Sequence, residues 1–410
     1  TQQVTQYPIE RIRNDFPILN QTINNLPLAF LDSAASAQKP AIVIDRIKKC
    51  YEEEYANIHR GTYQLSMQTT AAFENARTIC QNFINASSEK EIIFVRGVTE
   101  AINLVATSYG KAFLKKDDEV IISSLEHHAN IVPWQMLRDM IGIKLKIIPI
   151  DQEGNIIIDE YRKLFTDKTK FVSVIHISNA LGSLVPVKQL IDIAHQHDCH
   201  ILIDGAQSVG HIDVDVKELD ADFYVFSSHK IYGPSGIGVL YGKEAILEKM
   251  PPYHGGGEMI KTVTFDKTEY AALPAKFEAG TPAIAQAIGM ASAIEYIQSI
   301  GVDAIHNYEA ELMQYAYDKL SDVEDIIIYG AKKPKTSIVT FNLKNLHPQD
   351  VNFILDKEAV AVRTGHHCAQ PIMQHLAVNA TIRASFGLYT NFSDIDSLTN
   401  SLNKARRLLS

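Results

Sequence analysis

From about residue 90 to residue 245 the chain alternates short apolar, β-rich runs with segments whose apolar residues recur at helical spacing. The runs Glu91–Val95, Glu119–Ser123, Lys144–Ile148, Phe171–Ile177, His200–Ile203, Phe223–Ser227 and Gly238–Tyr241 predict strands. Runs such as HILID and DFYVFS carry almost no polar alternation, as befits strands covered on both faces. Between the runs, Ile102, Val105, Ala106 and Tyr109 predict one amphipathic helix. Leu190, Ile191, Ile193, Ala194 and His197 predict another. Strands and helices alternating in this way build βαβ units and a mostly parallel sheet. Such sheets bind ligands beyond the carboxyl ends of their strands. Arg96-Gly97, His127, Asn179, Asp204 and His229-Lys230 all fall at or just after predicted strand ends, so a convergent site is expected there.

After about Gly301 the pattern changes. Thr336–Leu343, Val360–Thr364 and Thr381–Leu388 predict a few strands, and Pro348–Lys357 and Ser393–Leu409 predict helices. The expected organisation is an α/β protein with a large domain over residues 26–300 and a smaller one. The smaller α/β domain is expected to combine residues 1–25 with residues 301–410. The cluster His254-Gly255-Gly256-Gly257 interrupts the pattern and reads as a loop that something approaches closely.

Composition narrows the function classes. With 410 residues, 46% hydrophobic and 21% charged, the chain is ordinary for a globular protein and long enough for two domains. A net charge of −9 without runs of like charge argues against a nucleic-acid partner. The first thirty residues hold Arg11, Arg13 and Asp15 and no apolar core of signal-peptide type. No stretch approaches the roughly 18 apolar residues of a membrane span. The four cysteines, Cys50, Cys80, Cys199 and Cys368, form no CxxC and suit a reducing compartment. A cytoplasmic protein with no membrane partner is the expectation.

The candidate chemistry begins with Asp204 in DGAQSVG and Lys230 in SSHKIYGPSGIG, 26 residues apart and each just past an apolar run. Singly, such a lysine is a solvated loop residue and such an aspartate a turn former or helix cap. Together they match what pyridoxal phosphate requires: an amine to capture its aldehyde and a carboxylate to hold charge on its ring nitrogen. Other residues fill the remaining needs in order. Gly97-Val98-Thr99-Glu100 opens a helix whose free N–H groups, with the Thr99 hydroxyl, suit a phosphate. Ser227 and His229 flank the lysine as further donors. His127 offers a flat ring to stack on a pyridine, and Gln207 an amide for the ring oxygen.

Arg383, in TIRASFG, offers a fork for a substrate carboxylate. Cys368 lies in VRTGHHCA, where Arg363, His366 and His367 are candidate cationic or proton-accepting neighbours for a thiolate. A metal site from His366, His367, Cys368 and His375 is the competing reading. Contiguous HHC directs its side chains apart and no acidic ligand lies near, so no metal is expected.

These segments resemble the cysteine desulfurases of the class V aminotransferase family, in particular the sulfur-mobilisation branch related to selenocysteine lyases. LDSAASAQKP (31–40), NIHRGTYQLS (57–66), FVRGVTEAINLV (94–105), EHHANIVPWQ (126–135), DGAQSVGH (204–211), FSSHKIYGPSGIG (226–238), FEAGTP (277–282) and VRTGHHCAQP (362–371) carry the resemblance. It implies a fold type I pyridoxal phosphate enzyme, with a mostly parallel seven-stranded sheet and the catalytic cysteine on the smaller domain.

By the same resemblance Lys230 holds the cofactor covalently and Asp204 partners its ring nitrogen. Gln207 meets its phenolic oxygen, and His127 stacks on the ring and assists proton transfer. Thr99, Ser227 and His229 bind the phosphate, with Thr281 reaching in from the second subunit of a homodimer. Asn179 and Arg383 bind the carboxylate of L-cysteine, and Cys368 accepts its sulfur. His59, Arg60 and Arg363 match positions near the site without assigned roles. RTGHHCA resembles the branch with a short cysteine loop, which implies a dedicated sulfur-acceptor protein and delivery to iron–sulfur cluster assembly. Val98 and Ala101 depart from the Thr and Gly common in relatives, so one hydroxyl near the phosphate is missing. A selenocysteine lyase, a class V aminotransferase and a kynureninase-like hydrolase remain alternatives. So does a scaffold on an inactive fold. A dinucleotide oxidoreductase is disfavoured because no GxGxxG follows an early strand.

Overall fold

The computed structural model describes residues 7–332 and 336–409. Residues 1–6, 333–335 and 410 of the expected small domain lie outside the described residues.

Seven strands form the central sheet: β1 (Ile92–Val95), β2 (Glu119–Ser123), β3 (Lys144–Ile148), β4 (Thr169–Ile175), β5 (His200–Asp204), β6 (Phe223–Ser227) and β7 (Gly238–Gly242). Their order is β1-β7-β6-β5-β4-β2-β3. The β3, β2, β4, β5 and β6 ladders are parallel, while β7 runs antiparallel to both β6 and β1. The chain passes from β6 to β7 without a crossover helix, and a direct connection reverses direction.

Within the strands, side chains alternate between two apolar layers. Ile121, Val172, Val174, Ile201, Ile203, Tyr224 and Phe226 belong to one buried cluster. Val120, Ile122, Phe171, Leu202, Phe223 and Val225 belong to the other. Both faces of these inner strands are therefore buried, which explains why they read as continuous apolar runs, whereas the edge strand β3 is half-exposed. Truncating a fully buried residue such as Ile203 to alanine would cost about 2–5 kcal/mol. The sheet is thus a stiff platform for the residues at its strand ends.

One predicted strand shifts. Instead of spanning Phe171–Ile177, β4 ends at Ile175, and Ile177 leaves the ladder to bridge Leu184. The intervening His176 N–H still donates to the Asp204 carbonyl at 2.9 Å.

A second sheet of four antiparallel strands lies in the C-terminal third: β8 (Ile326–Tyr329), β9 (Ile338–Leu343), β10 (Arg363–Gly365) and β11 (Thr381–Ser385), in the order β8-β9-β11-β10. The expected Val360–Thr364 strand divides. Val360–Ala361 pairs in parallel with Ala29–Phe30, and β10 pairs with β11. Helices Val302–Ser321, Pro348–Lys357 and Phe392–Leu409 contribute Leu312, Leu355 and Leu398 to this sheet's core. The cysteine segment follows directly on β10.

Candidate active site

The carboxyl ends of β2, β4, β5 and β6, the start of helix α1 (Val98–Phe113) and the segment after β10 enclose a cavity of about 840 Å³. Lys230, Asp204, Gln207, His127, Thr99, Ser227, His229, Asn179, Arg383 and Cys368 all line it. Thr281 does not; it is exposed on the loop that precedes helix Ile284–Ile300. His59 and Arg60 also lie outside the cavity, facing Glu74 at 2.8 Å and Glu258 at 3.3 Å.

Lys230 follows β6 in a single short helical turn. Burial lowers its amine to about 8, opposed by the Asp204 carboxylate. Asp204 ends β5, is 1% exposed, and accepts the Ala206 N–H at 3.0 Å. Its carboxyl is pushed up by burial, with the Ala206 bond and Lys230 opposing. An amine shifted toward neutrality beside a buried acid is an arrangement that proton-transfer and covalent chemistry use.

His127 Nδ1 accepts the Ala129 N–H at 3.0 Å. Burial, then Lys230, drives the ring down to about 3, so it is neutral with its proton on Nε2. Gln207 Nε2 donates to the Ala34 carbonyl at 2.8 Å.

At the other end of the cavity, helix α1 starts at Gly97, which has no side chain to cap it, and the Thr99 and Glu100 N–H groups are left for an anion. Gly97 has φ of 154°, and a Cβ there would lie 3.1 Å from Ser227 Oγ. That hydroxyl accepts the Val98 N–H at 2.9 Å. A Cβ on Gly238 would come within 2.8 Å of the Gly97 Cα. The two glycines therefore let the helix start sit directly against the sheet.

Arg383, 2% exposed, donates from Nη1 to the Asn179 carbonyl at 2.8 Å. Asn179 Nδ2 donates to the His367 carbonyl at 2.6 Å. Arg383 Nε and Asn179 Oδ1 are buried without partners. Unpaired buried polar atoms are rare in folded proteins, and here both belong to residues that line one cavity.

Several members of the site escaped sequence reasoning. Asp32 takes a forked contact from Arg363, with Nη2 at 2.8 Å, and a longer one from Arg383 at 3.5 Å. Its signal was its place in LDSAAS. His128 was overshadowed by its neighbour in the His doublet. Its N–H donates to the Cys368 carbonyl at 2.7 Å, and its Nε2 accepts the Gln370 N–H at 3.1 Å. Lys39 donates to the His229 carbonyl at 3.2 Å, and burial lowers its amine to about 8.

Cys368 is exposed at the cavity wall. Both His367 and Cys368 have φ of 54°, the left-handed region that non-glycine residues rarely occupy. Of the two roles expected of a neighbouring histidine, cation or proton acceptor, burial leaves His367 only the second. His367 is buried, its Nε2 bonds Thr381 Oγ1 at 2.8 Å, and burial lowers the ring to about 3, so it is neutral. The cations close enough to interact with a charge on Cys368 are Lys230, Arg363 and Arg383. His375 turns its ring to the Asp151 carbonyl at 2.9 Å. Among the described residues no group of three or more His, Cys, Asp or Glu could hold a metal ion. Nor is any helix among them long and apolar enough to cross a membrane.

Known proteins show the same chain plan. A cysteine desulfurase of Salmonella agona is 49% identical over 98% of this chain and 99% of its own length. One from Synechococcus elongatus is 46% identical over 97% of this chain, which spans 64% of that longer protein. The apo structure of a cysteine desulfurase from Thermococcus onnurineus superposes with a TM-score of 0.92, at 37% identity, over 97% of this chain and 98% of that one. The Aminotransferase class-V model matches residues 29–398, and the chain belongs to that family.

Proposed function

We propose that this protein is a pyridoxal phosphate-dependent cysteine desulfurase that converts L-cysteine to L-alanine and takes up the sulfur on Cys368. The observation that carries the reading is one cavity holding a buried lysine–aspartate pair and, at its wall, an exposed cysteine flanked by Arg363 and Arg383. A transaminase needs the first half of that arrangement but has no use for the second. Full-length relatives named as cysteine desulfurases support it.

The residues fit the cofactor. The uncapped start of α1 with Thr99, Ser227 and His229 would hold its phosphate, Lys230 its aldehyde carbon, and Asp204 its ring nitrogen. Gln207 would meet the ring oxygen, and neutral His127 would stack on the ring. When bound, pyridoxal phosphate supplies an imine-forming carbonyl and a ring that withdraws electrons from the substrate Cα.

Lys230 carries the proton to and from carbon as its amine becomes free. Arg383 donates its unpartnered Nε–H to the carboxylate, and Asn179 donates the second N–H of its Nδ2. The Cys368 thiolate attacks the substrate sulfur, so an S–S bond forms as the Cβ–S bond breaks, and protonated carbon leaves as alanine. The resulting persulfide is a reversible sulfur cap that passes to an acceptor protein serving iron–sulfur cluster assembly.

In this reading residues 26–300 form the cofactor-binding domain, and residues 1–25 and 301–410 the small domain. The enzyme is a cytoplasmic homodimer in which Thr281 serves the partner's phosphate. Alanine and sulfide released from L-cysteine with a reductant present test it, with Lys230→Ala alongside. Equal yields of both, lost in the variant, are expected. Neither product from the cofactor-loaded wild type would overturn it.

A further inference from the structure

Apart from that cavity, a second groove of about 760 Å³ opens beside helix Val187–Gln196. Its volume lies within the roughly 300–1,000 Å³ of small-molecule sites. Leu125, Ile156, Val187 and Ile212 give it apolar walls. Lys188 and Asp192 are its charged lining residues, and they pair with each other at 2.6 Å. The groove therefore presents no net charge to a ligand.

Two polar groups in it are uncommitted. Ser183 is 2% exposed, and its buried Oγ has no partner. His176, 6% exposed, has a proton position that follows from its neighbours. Ser208 Oγ donates to the Gly205 carbonyl at 3.0 Å, so the Tyr224 hydroxyl must donate to Ser208 at 2.6 Å. Tyr224 then accepts from His176 Nδ1 at 2.8 Å. His176 Nε2 is left as a bare acceptor, and burial, which lowers the ring to about 4, keeps it neutral. A lone pair and an unpaired hydroxyl in an apolar groove complement a group that both donates and accepts.

We propose that this groove binds an uncharged small molecule with an apolar body and a hydroxyl or amide group, which meets His176 Nε2 and Ser183 Oγ. The groove shares no lining residue with the cavity that holds Lys230 and Cys368, and its test reads binding rather than turnover.

The probe is 2-naphthol, titrated into the cofactor-loaded protein and followed by its own fluorescence, with naphthalene as the comparator lacking a hydroxyl. One saturable site per chain is expected, with naphthalene bound several-fold more weakly. Ser183→Ala and His176→Phe should each weaken 2-naphthol by about three- to tenfold, the scale of one neutral hydrogen bond. Ser183→Ala should melt no lower than the parent, because the hydroxyl it removes has no partner. If His176→Phe fails to fold, Ser183→Ala alone decides. No saturable binding would overturn the proposal, as would 2-naphthol binding that Ser183→Ala leaves unchanged.

Discussion

The backbone N–H of His128 donates to the carbonyl of Cys368 at 2.7 Å, joining the loop after β2 to a cysteine 240 positions later in the chain. The His128 ring adds a second tie by accepting the Gln370 N–H at 3.1 Å. With His367 and Cys368 both left-handed, these bonds fix where the thiol is held. Replacing His128 by Phe keeps the backbone tie and removes the ring acceptor. Turnover of L-cysteine should fall several-fold, the worth of about 1 kcal/mol, while the cofactor absorbance stays that of the parent. Cys368→Ala should abolish alanine formation and leave the cofactor bound. A persulfide found by mass spectrometry on the Cys368→Ala protein would remove this residue from the proposed role.

Lys230 gives a prediction that needs no substrate. With its amine lowered to about 8, roughly one in ten is neutral at pH 7, against one in a few thousand for an ordinary lysine. Only the neutral amine attacks an aldehyde. Capture of pyridoxal phosphate by the apoprotein should therefore speed up tenfold per pH unit below about pH 8 and level off above it. Asp204 opposes the shift, so removing its charge lowers the amine further. In Asp204→Asn the plateau should begin at lower pH. Stopped-flow absorbance measures both curves, and a plateau deferred toward pH 10 would contradict the account.

Much of this arrangement was legible because β-strands buried on both faces leave no polar interruptions. HILID and DFYVFS announce their ends, and Asp204 and Lys230 stand at or just beyond them. Asp32 was illegible for the opposite reason. Its meaning lies in Arg363, 331 positions away, and no local period connects the two. A histidine beside a cysteine can serve as cation or proton acceptor, and the choice for His367 was illegible because burial, which no local pattern shows, decides its protonation. The strand β8 was missed because it is short and half-exposed, without the apolar continuity of the central strands. Spacing reveals what a segment is; it does not reveal which distant segment it meets.

Glu126, beside His127, is fully buried. Burial pushes its carboxyl up to about 8, against donors from Ser123, Asn130 at 2.6 Å and Ile175 at 3.0 Å. A carboxyl whose folded value exceeds its unfolded one, near 4.3, keeps its proton longer in the folded state. Stability is then lost as pH rises from about 4.3 toward 8, because the unfolded chain releases the proton first. Glu126→Gln cannot titrate. Its melting temperature relative to the parent should rise steadily between pH 5 and pH 8. Parallel melting curves across that range would show that the carboxyl is already charged.

Arg383 tests the substrate clamp. Its guanidinium is buried, with Nη1 committed to the Asn179 carbonyl and Nε unpaired. Burial lowers it to about 10, with Asp32 opposing, so it is charged at neutral pH. Arg383→Lys preserves a charge but loses the planar fork, and a lysine cannot hold Asn179 and a carboxylate in the same plane. The KM for L-cysteine should rise about tenfold or more, the scale of one charge-assisted hydrogen bond. The change in kcat should be smaller, because the residue holds the substrate away from the reacting carbon. If kcat collapses and KM does not move, Arg383 acts on the chemistry instead, and the carboxylate must be sought at Arg363.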